Sequence, residues 1–130
     1  MGQMLVIDDM HSNANVMTMM LNEIGYNNVR TFYSATEALR FLGIGAADQP
    51  PEEEIEMIFI DMLMPEISGE EVCRIIRTDQ RFAMTPIVIT TGLVMSLESV
   101  LESGANELLI KPIDTEQIKA VINRYIEPTR

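Results

Sequence analysis

Three short apolar runs in this chain each end on a charge, and together they restrict the fold more than any other feature. Leu5-Val6-Ile7 runs into Asp8-Asp9, Ile58-Phe59-Ile60 into Asp61, and Leu108-Leu109-Ile110 into Lys111. Runs this short and this apolar read as strands buried on both faces of a parallel sheet. The carboxyl ends of such strands share one edge of an open α/β sheet, and ligands bind there. Asp-Asp, Asp and Lys-Pro delivered to one edge describe a site for a metal and a phosphoryl group.

The rest of the chain supplies the crossovers, since apolar runs alternate with helical periods. A first strand over about 3–8 precedes a helix with Val16, Met17, Met20, Leu21 and Ile24 on its inward stripe and Gly25 as its stop. A weaker strand at 28–33 leads to Ser34-Ala35-Thr36-Glu37, a capping-box pattern for a helix that buries Ala38, Leu39 and Leu42 and ends near Gly43. Composition shifts over residues 45–56, and within them 48–54, with Pro50-Pro51 and an acidic run, read as an exposed loop. A third strand at 56–61 is followed by a helix at 68–78, and Ile87-Val88-Ile89-Thr90-Thr91 makes the fourth strand. Leu97, Val100 and Leu101 are expected to face inward on a short fourth helix. Leu108–Ile110 is the fifth strand, and Asp114-Thr115-Glu116-Gln117 caps a last helix with stripe Ile118, Val121, Ile122 and Tyr125.

Five βα units use all of residues 1–130 as one domain. Right-handed crossovers and a ligand at the switch point between strands one and three give a doubly wound, five-stranded parallel sheet in the order 2-1-3-4-5.

Composition excludes several classes. The net charge of -11 leaves no basic surface for nucleic acid. No apolar stretch reaches membrane-spanning length, and residues 1–9 lack a signal peptide's features, so the expectation is a cytoplasmic protein without membrane insertion. Cys73 is the only cysteine, which rules out an intrachain disulfide and a cysteine-rich zinc site.

Asp8, Asp9 and Asp61 suit Mg²⁺, or Mn²⁺ as the other cation an oxygen-only set accepts. Without a cation they repel: two charges about 4 Å apart cost roughly 4 kcal/mol at an effective dielectric near 20. A carboxylate beside Mg²⁺ can also attack phosphorus. Taken alone, Asp8-Asp9 reads better as a cap on the first helix. His11 is an exposed helix-start residue or a base at the mouth of the site, and Cys73 a small buried hydrophobe.

The run from Asp61 through Met64-Pro65 to Gly69 resembles the receiver domain of two-component response regulators, of the stand-alone chemotaxis type. Asp8-Asp9 match that family's acidic pair, Thr91-Gly92 its switch threonine with the small residue after it, and Lys111-Pro112 its Lys-Pro step. Gly104-Ala105 match at the usual offset. The resemblance implies a flavodoxin-like receiver fold with Asp61 as the phosphoacceptor. It implies Mg²⁺ held by Asp9, Asp61 and the backbone carbonyl of Leu63, with Asp8 acting through water. Lys111 and Thr91 would contact the phosphoryl oxygens, and the Lys111–Pro112 peptide would be cis. The implied partners are a histidine kinase or phosphotransfer protein as donor, and an output protein the sequence does not name.

The pattern departs from the family at Leu108, where a Tyr or Phe is usual in the fifth strand, and in a shorter stretch between Thr91 and Lys111. The implied function is a phosphorelay switch. It is not a metabolic enzyme and catalyses only its own phosphorylation and dephosphorylation. It would be stand-alone unless these 130 residues belong to a longer regulator. A pseudo-receiver that binds proteins without using phosphorylation is the alternative. An aspartate-nucleophile phosphohydrolase would need a second acid two residues after Asp61, where Leu63 stands.

Overall fold

A computed structural model describes residues 2–44 and 51–126. Strands β1 (Gln3–Ile7), β2 (Val29–Phe32), β3 (Ile55–Asp61), β4 (Ile87–Thr91) and β5 (Glu107–Ile110) form one sheet in the order β2-β1-β3-β4-β5. Every neighbouring pair is parallel, so each connection must cross over the sheet. Helices α1 (His11–Ile24), α2 (Ala35–Phe41), α3 (Gly69–Arg77) and α4 (Leu97–Glu102) make the four crossovers, and α5 (Thr115–Tyr125) follows β5. The expected architecture is the one observed.

Strand periodicity divides the core in two. Leu5, Ile7, Ile58, Ile60, Ile87 and Ile89 pack against Ala38, Leu42, Val72, Cys73, Ile76 and Val100 from α2, α3 and α4. Their alternates Met4, Val6, Met57, Phe59, Val88 and Leu109 pack against Ala14, Met17, Leu21, Ile118, Val121 and Ile122 from α1 and α5. Each large side chain buried this way contributes about 1.5–3 kcal/mol. With both faces covered, function is left to the strand ends.

Caps set the helix limits. Ser34 Oγ accepts the Glu37 N–H at 3.1 Å, Ser68 Oγ accepts that of Glu71 at 3.2 Å, and Asp114 with Gln117 forms a full capping box. Gly25 ends α1 at φ 118°, a left-handed conformation that favours glycine. Gly69 answers to a different constraint. A Cβ there would lie 2.6 Å from the Asp61 carbonyl oxygen, so only glycine lets α3 start this close to β3.

Three assignments need correction. Val16 is 52% exposed, because the inward stripe of α1 runs through Ala14, Met17 and Leu21. On α4 only Val100 is buried, and Leu97 and Leu101 stand 51% and 48% exposed. A six-residue helix presents too narrow a face to bury all three, and Ser103 and Ala105 continue its buried side instead. Finally, β5 begins at Glu107, one residue early. Of the expected loop at 48–54, residues 48–50 lie outside the described residues. Glu52, Glu53 and Glu54 are exposed, and β3 begins at Ile55.

Candidate functional site

The carboxyl ends of β1, β3 and β5 converge, as the parallel sheet requires. Asp8 and Asp61 are buried and Asp9 is half-buried, and one carboxylate oxygen from each lies within 4.8 Å of the others. Lys111 Nζ donates to Asp61 Oδ1 at 2.8 Å and stands 3.5 Å from Asp8 Oδ2. One cation thus bridges two of three clustered anions. The set still carries two surplus negative charges, and its oxygen ligands fit a hard divalent ion.

The four positions differ in support. Asp8 Oδ1 accepts the Met10 N–H at 3.0 Å, which fixes the carboxylate at the start of α1. Burial raises the Asp8 carboxyl above its ordinary value, and the Asp61 charge adds to the rise. The Met10 N–H and Lys111 oppose it. Lys111 is anchored by its own N–H, which donates to the Thr91 carbonyl at 2.7 Å, and it precedes a cis peptide to Pro112. Met62 N–H donates to the Thr90 carbonyl at 2.7 Å, and Gly69 N–H to the Met62 carbonyl at 2.8 Å. Those two bonds hold the loop after Asp61 at both ends.

Thr91 is buried at the end of β4, and its Oγ1 accepts the Leu93 N–H at 3.1 Å. Gly92 after it is exposed, with open space where a Cβ would stand. Leu63 and Leu93 stand two residues after Asp61 and Thr91 respectively, both more than half exposed. Neither brings a polar group to the edge. Leu108 pairs in register with Ile89 and packs, partly buried, into the α2–α3–α4 core.

The minor candidates resolve simply. His11 is exposed at the start of α1, its ring stacked on Tyr33 at 3.7 Å. Cys73 is wholly buried, and burial raises its thiol pKa. Sequence reasoning missed two neighbours of the site. Tyr33 shares a small hollow with Asp9, Met64 and Glu66, and nothing in the weak second strand pointed to it. Thr90 lies beside Lys111 on the α1–α5 side. Its signal was present in the alternation of β4, which puts Thr90 on the face of Val88.

Comparisons with known proteins agree with this geometry. A family model described as the response regulator receiver domain matches residues 4–123. The response regulator ArlR of Staphylococcus aureus is 32% identical over 128 residues, covering 97% of this chain and 53% of that protein. The chain therefore spans about half the length of the curated relatives it matches. Among solved structures, chemotaxis protein CheY4 of Vibrio cholerae aligns at TM-score 0.82 with 24% identity, covering 97% of this chain and 99% of that one. The receiver domain of sensor histidine kinase PA1611 of Pseudomonas aeruginosa PAO1 has a magnesium ion coordinated in its active site cleft. It aligns at TM-score 0.80 with 24% identity, over 98% of each chain. At such identities the two structures speak for the fold.

Proposed function

The chain belongs to the response regulator receiver domain family, and we propose that residues 1–130 form one phosphoacceptor receiver, phosphorylated on Asp61. The donor is a histidine kinase or phosphotransfer protein. The observation that carries this reading is the 2.8 Å contact between Lys111 Nζ and Asp61 Oδ1 inside a cluster of three carboxylates. A cation fixed on a nucleophilic carboxylate is the arrangement that phosphoryl transfer needs and that a merely structural edge does not.

Asp61 attacks the phosphorus of a phosphohistidine. An O–P bond forms as the N–P bond breaks, and the imidazole nitrogen leaves with the electron pair. Lys111 follows the phosphoryl oxygens, exchanging its carboxylate partner for them. Asp9, Asp61 and the Leu63 carbonyl would hold Mg²⁺, or Mn²⁺, with Asp8 acting through water. When bound, the ion would neutralise charge gathering on the phosphoryl oxygens. Thr91, with small Gly92 leaving the approach open, would donate its hydroxyl to one of those oxygens.

Output passes to a partner protein. Leu93, Val94, Leu97 and Leu101 give the β4–α4 region an exposed apolar strip, and apolar patches of this kind serve as interaction surfaces. The net charge of -11 argues against direct contact with nucleic acid. We place the protein in the cytoplasm; no helix among the described residues is long and apolar enough to cross a membrane.

Borohydride trapping tests the site. Reduction of an aspartyl phosphate converts that residue to homoserine, so the modified peptide should contain position 61. Modification at Asp8 or Asp9 would overturn the assignment, and none at all would favour a pseudo-receiver.

A further inference from the structure

We propose that the hollow between α1 and the turn joining β5 to α5 binds a small neutral amphiphile, an apolar body carrying one hydroxyl or amide head. The hollow measures about 450 Å³, within the range of small-molecule sites. Its floor is the sheet itself: Val6 and Phe59, only 2% and 1% exposed, line it from below.

Met17, Met20 and Ile113 form the sides. Two methionines in one wall let it adjust to an apolar body, because the unbranched thioether changes rotamer cheaply. Polar groups gather at one end, where Asn13, Thr90, Asp8 and Lys111 meet the space. A head carrying full charge of either sign would face a like charge there, from Asp8 or from Lys111. A neutral head that both donates and accepts meets no such conflict. An ammonium has three N–H donors; Lys111 gives one to Asp61 at 2.8 Å and stands 3.5 Å from Asp8 Oδ2, so donor capacity remains for a ligand.

This hollow opens beside the carboxylate cluster and shares Asp8 and Lys111 with it. Binding does not require phosphorylation, so its test stands apart from that of the phosphoacceptor. The probe is thymol, an apolar ring with one hydroxyl, titrated into the protein without Mg²⁺ or phosphodonor while amide shifts are recorded. Saturable shifts are expected at Val6, Asn13, Thr90 and Ile113, with a dissociation constant on the order of 1 mM or tighter. Met20→Trp, which fills the hollow, should weaken binding at least about tenfold, and Thr90→Val, which removes the hydroxyl, about threefold or more. If Met20→Trp loses its dispersed spectrum, Thr90→Val decides alone. Shifts that do not saturate, shifts centred on Leu97 and Leu101, or wild-type affinity in Thr90→Val would overturn the proposal.

Discussion

Thr91 and Leu93 are joined by a 3.1 Å hydrogen bond, the backbone N–H of Leu93 donating to Thr91 Oγ1. The hydroxyl is therefore already in use, holding the loop that leads into α4. Turning it toward a phosphoryl oxygen would release the Leu93 N–H and with it the start of the apolar strip. Phosphorylation would then act as a ligand for one of two loop states, and would shift them only by its differential affinity.

The first prediction follows for that loop. A beryllofluoride phosphoryl mimic should shift amides of residues 92–101 in the parent protein, and Thr91→Ala should abolish most of that change while leaving Asp61 reactive. Leu108 offers less differential contact than an aromatic ring would, so residues 106–113 should shift less. Moving a population from 1:99 to 99:1 takes about 5.5 kcal/mol, and a partner is expected to supply part of it. Equal shifts at 92–101 and 106–113 in the isolated protein would show that Leu108 transmits the switch unaided.

Mg²⁺ affinity should depend on Asp9 and Asp61 together. Asp9→Asn and Asp61→Asn each delete a ligand from the cluster, and calorimetric titration should find weaker binding in both. Removing the Asp9 charge also relieves the carboxylate repulsion, so Asp9→Asn should be at least as stable as the parent without metal. Unchanged affinity in either would place the ion elsewhere.

Asp8 gives a pH dependence with a definite sign. Its carboxyl is raised above the ordinary 3.8, first by burial and then by Asp61. As pH rises past the ordinary value, the folded state therefore keeps more of this proton than the unfolded state does. Stability from this group is complete below the unfolded value and declines as pH rises through the folded one. In metal-free buffer, the unfolding free energy of the parent minus that of Asp8→Asn should fall as pH rises from the ordinary carboxyl value of 3.8. Urea denaturation measures it, and a difference that rises with pH would contradict the assignment.

Much of this site was legible because it sits where strands end. Apolar runs of Leu5–Ile7 and Ile58–Ile60 are buried strands, Leu108–Ile110 is the edge strand with Ile110 39% exposed, and the residue after each is fixed at one end of the sheet. Gly25 and Asp114 marked helix limits by turn and cap chemistry that acts locally. The errors arose where burial depends on a neighbour and not on the local pattern. Leu97 and Leu101 share helical spacing with Val100, yet α4 offers the sheet only one row. Val16 lies one position off a stripe that small Ala14 completes. The Thr91–Leu93 bond and the stacking of His11 on Tyr33 depend on loop geometry and side-chain placement that no periodicity encodes.

The lifetime of the phosphorylated state should be long. Leu63 and Leu93 are exposed and apolar, so an attacking water finds no side-chain partner at either place. Leu63→Asn should accelerate dephosphorylation severalfold without changing the modified residue. Decay of the phosphorylated protein after removal of the donor reads this directly. An unaltered or slower rate would sink the argument.

The central claim is that Asp61 takes up a phosphoryl group in a Mg²⁺-dependent reaction. Intact mass after incubation with acetyl phosphate and Mg²⁺ tests it most directly. The parent protein should gain the mass of one phosphoryl group, and the gain should disappear with chelator and in Asp61→Asn. The same gain in Asp61→Asn, or none in the parent protein with Mg²⁺ present, would contradict the account.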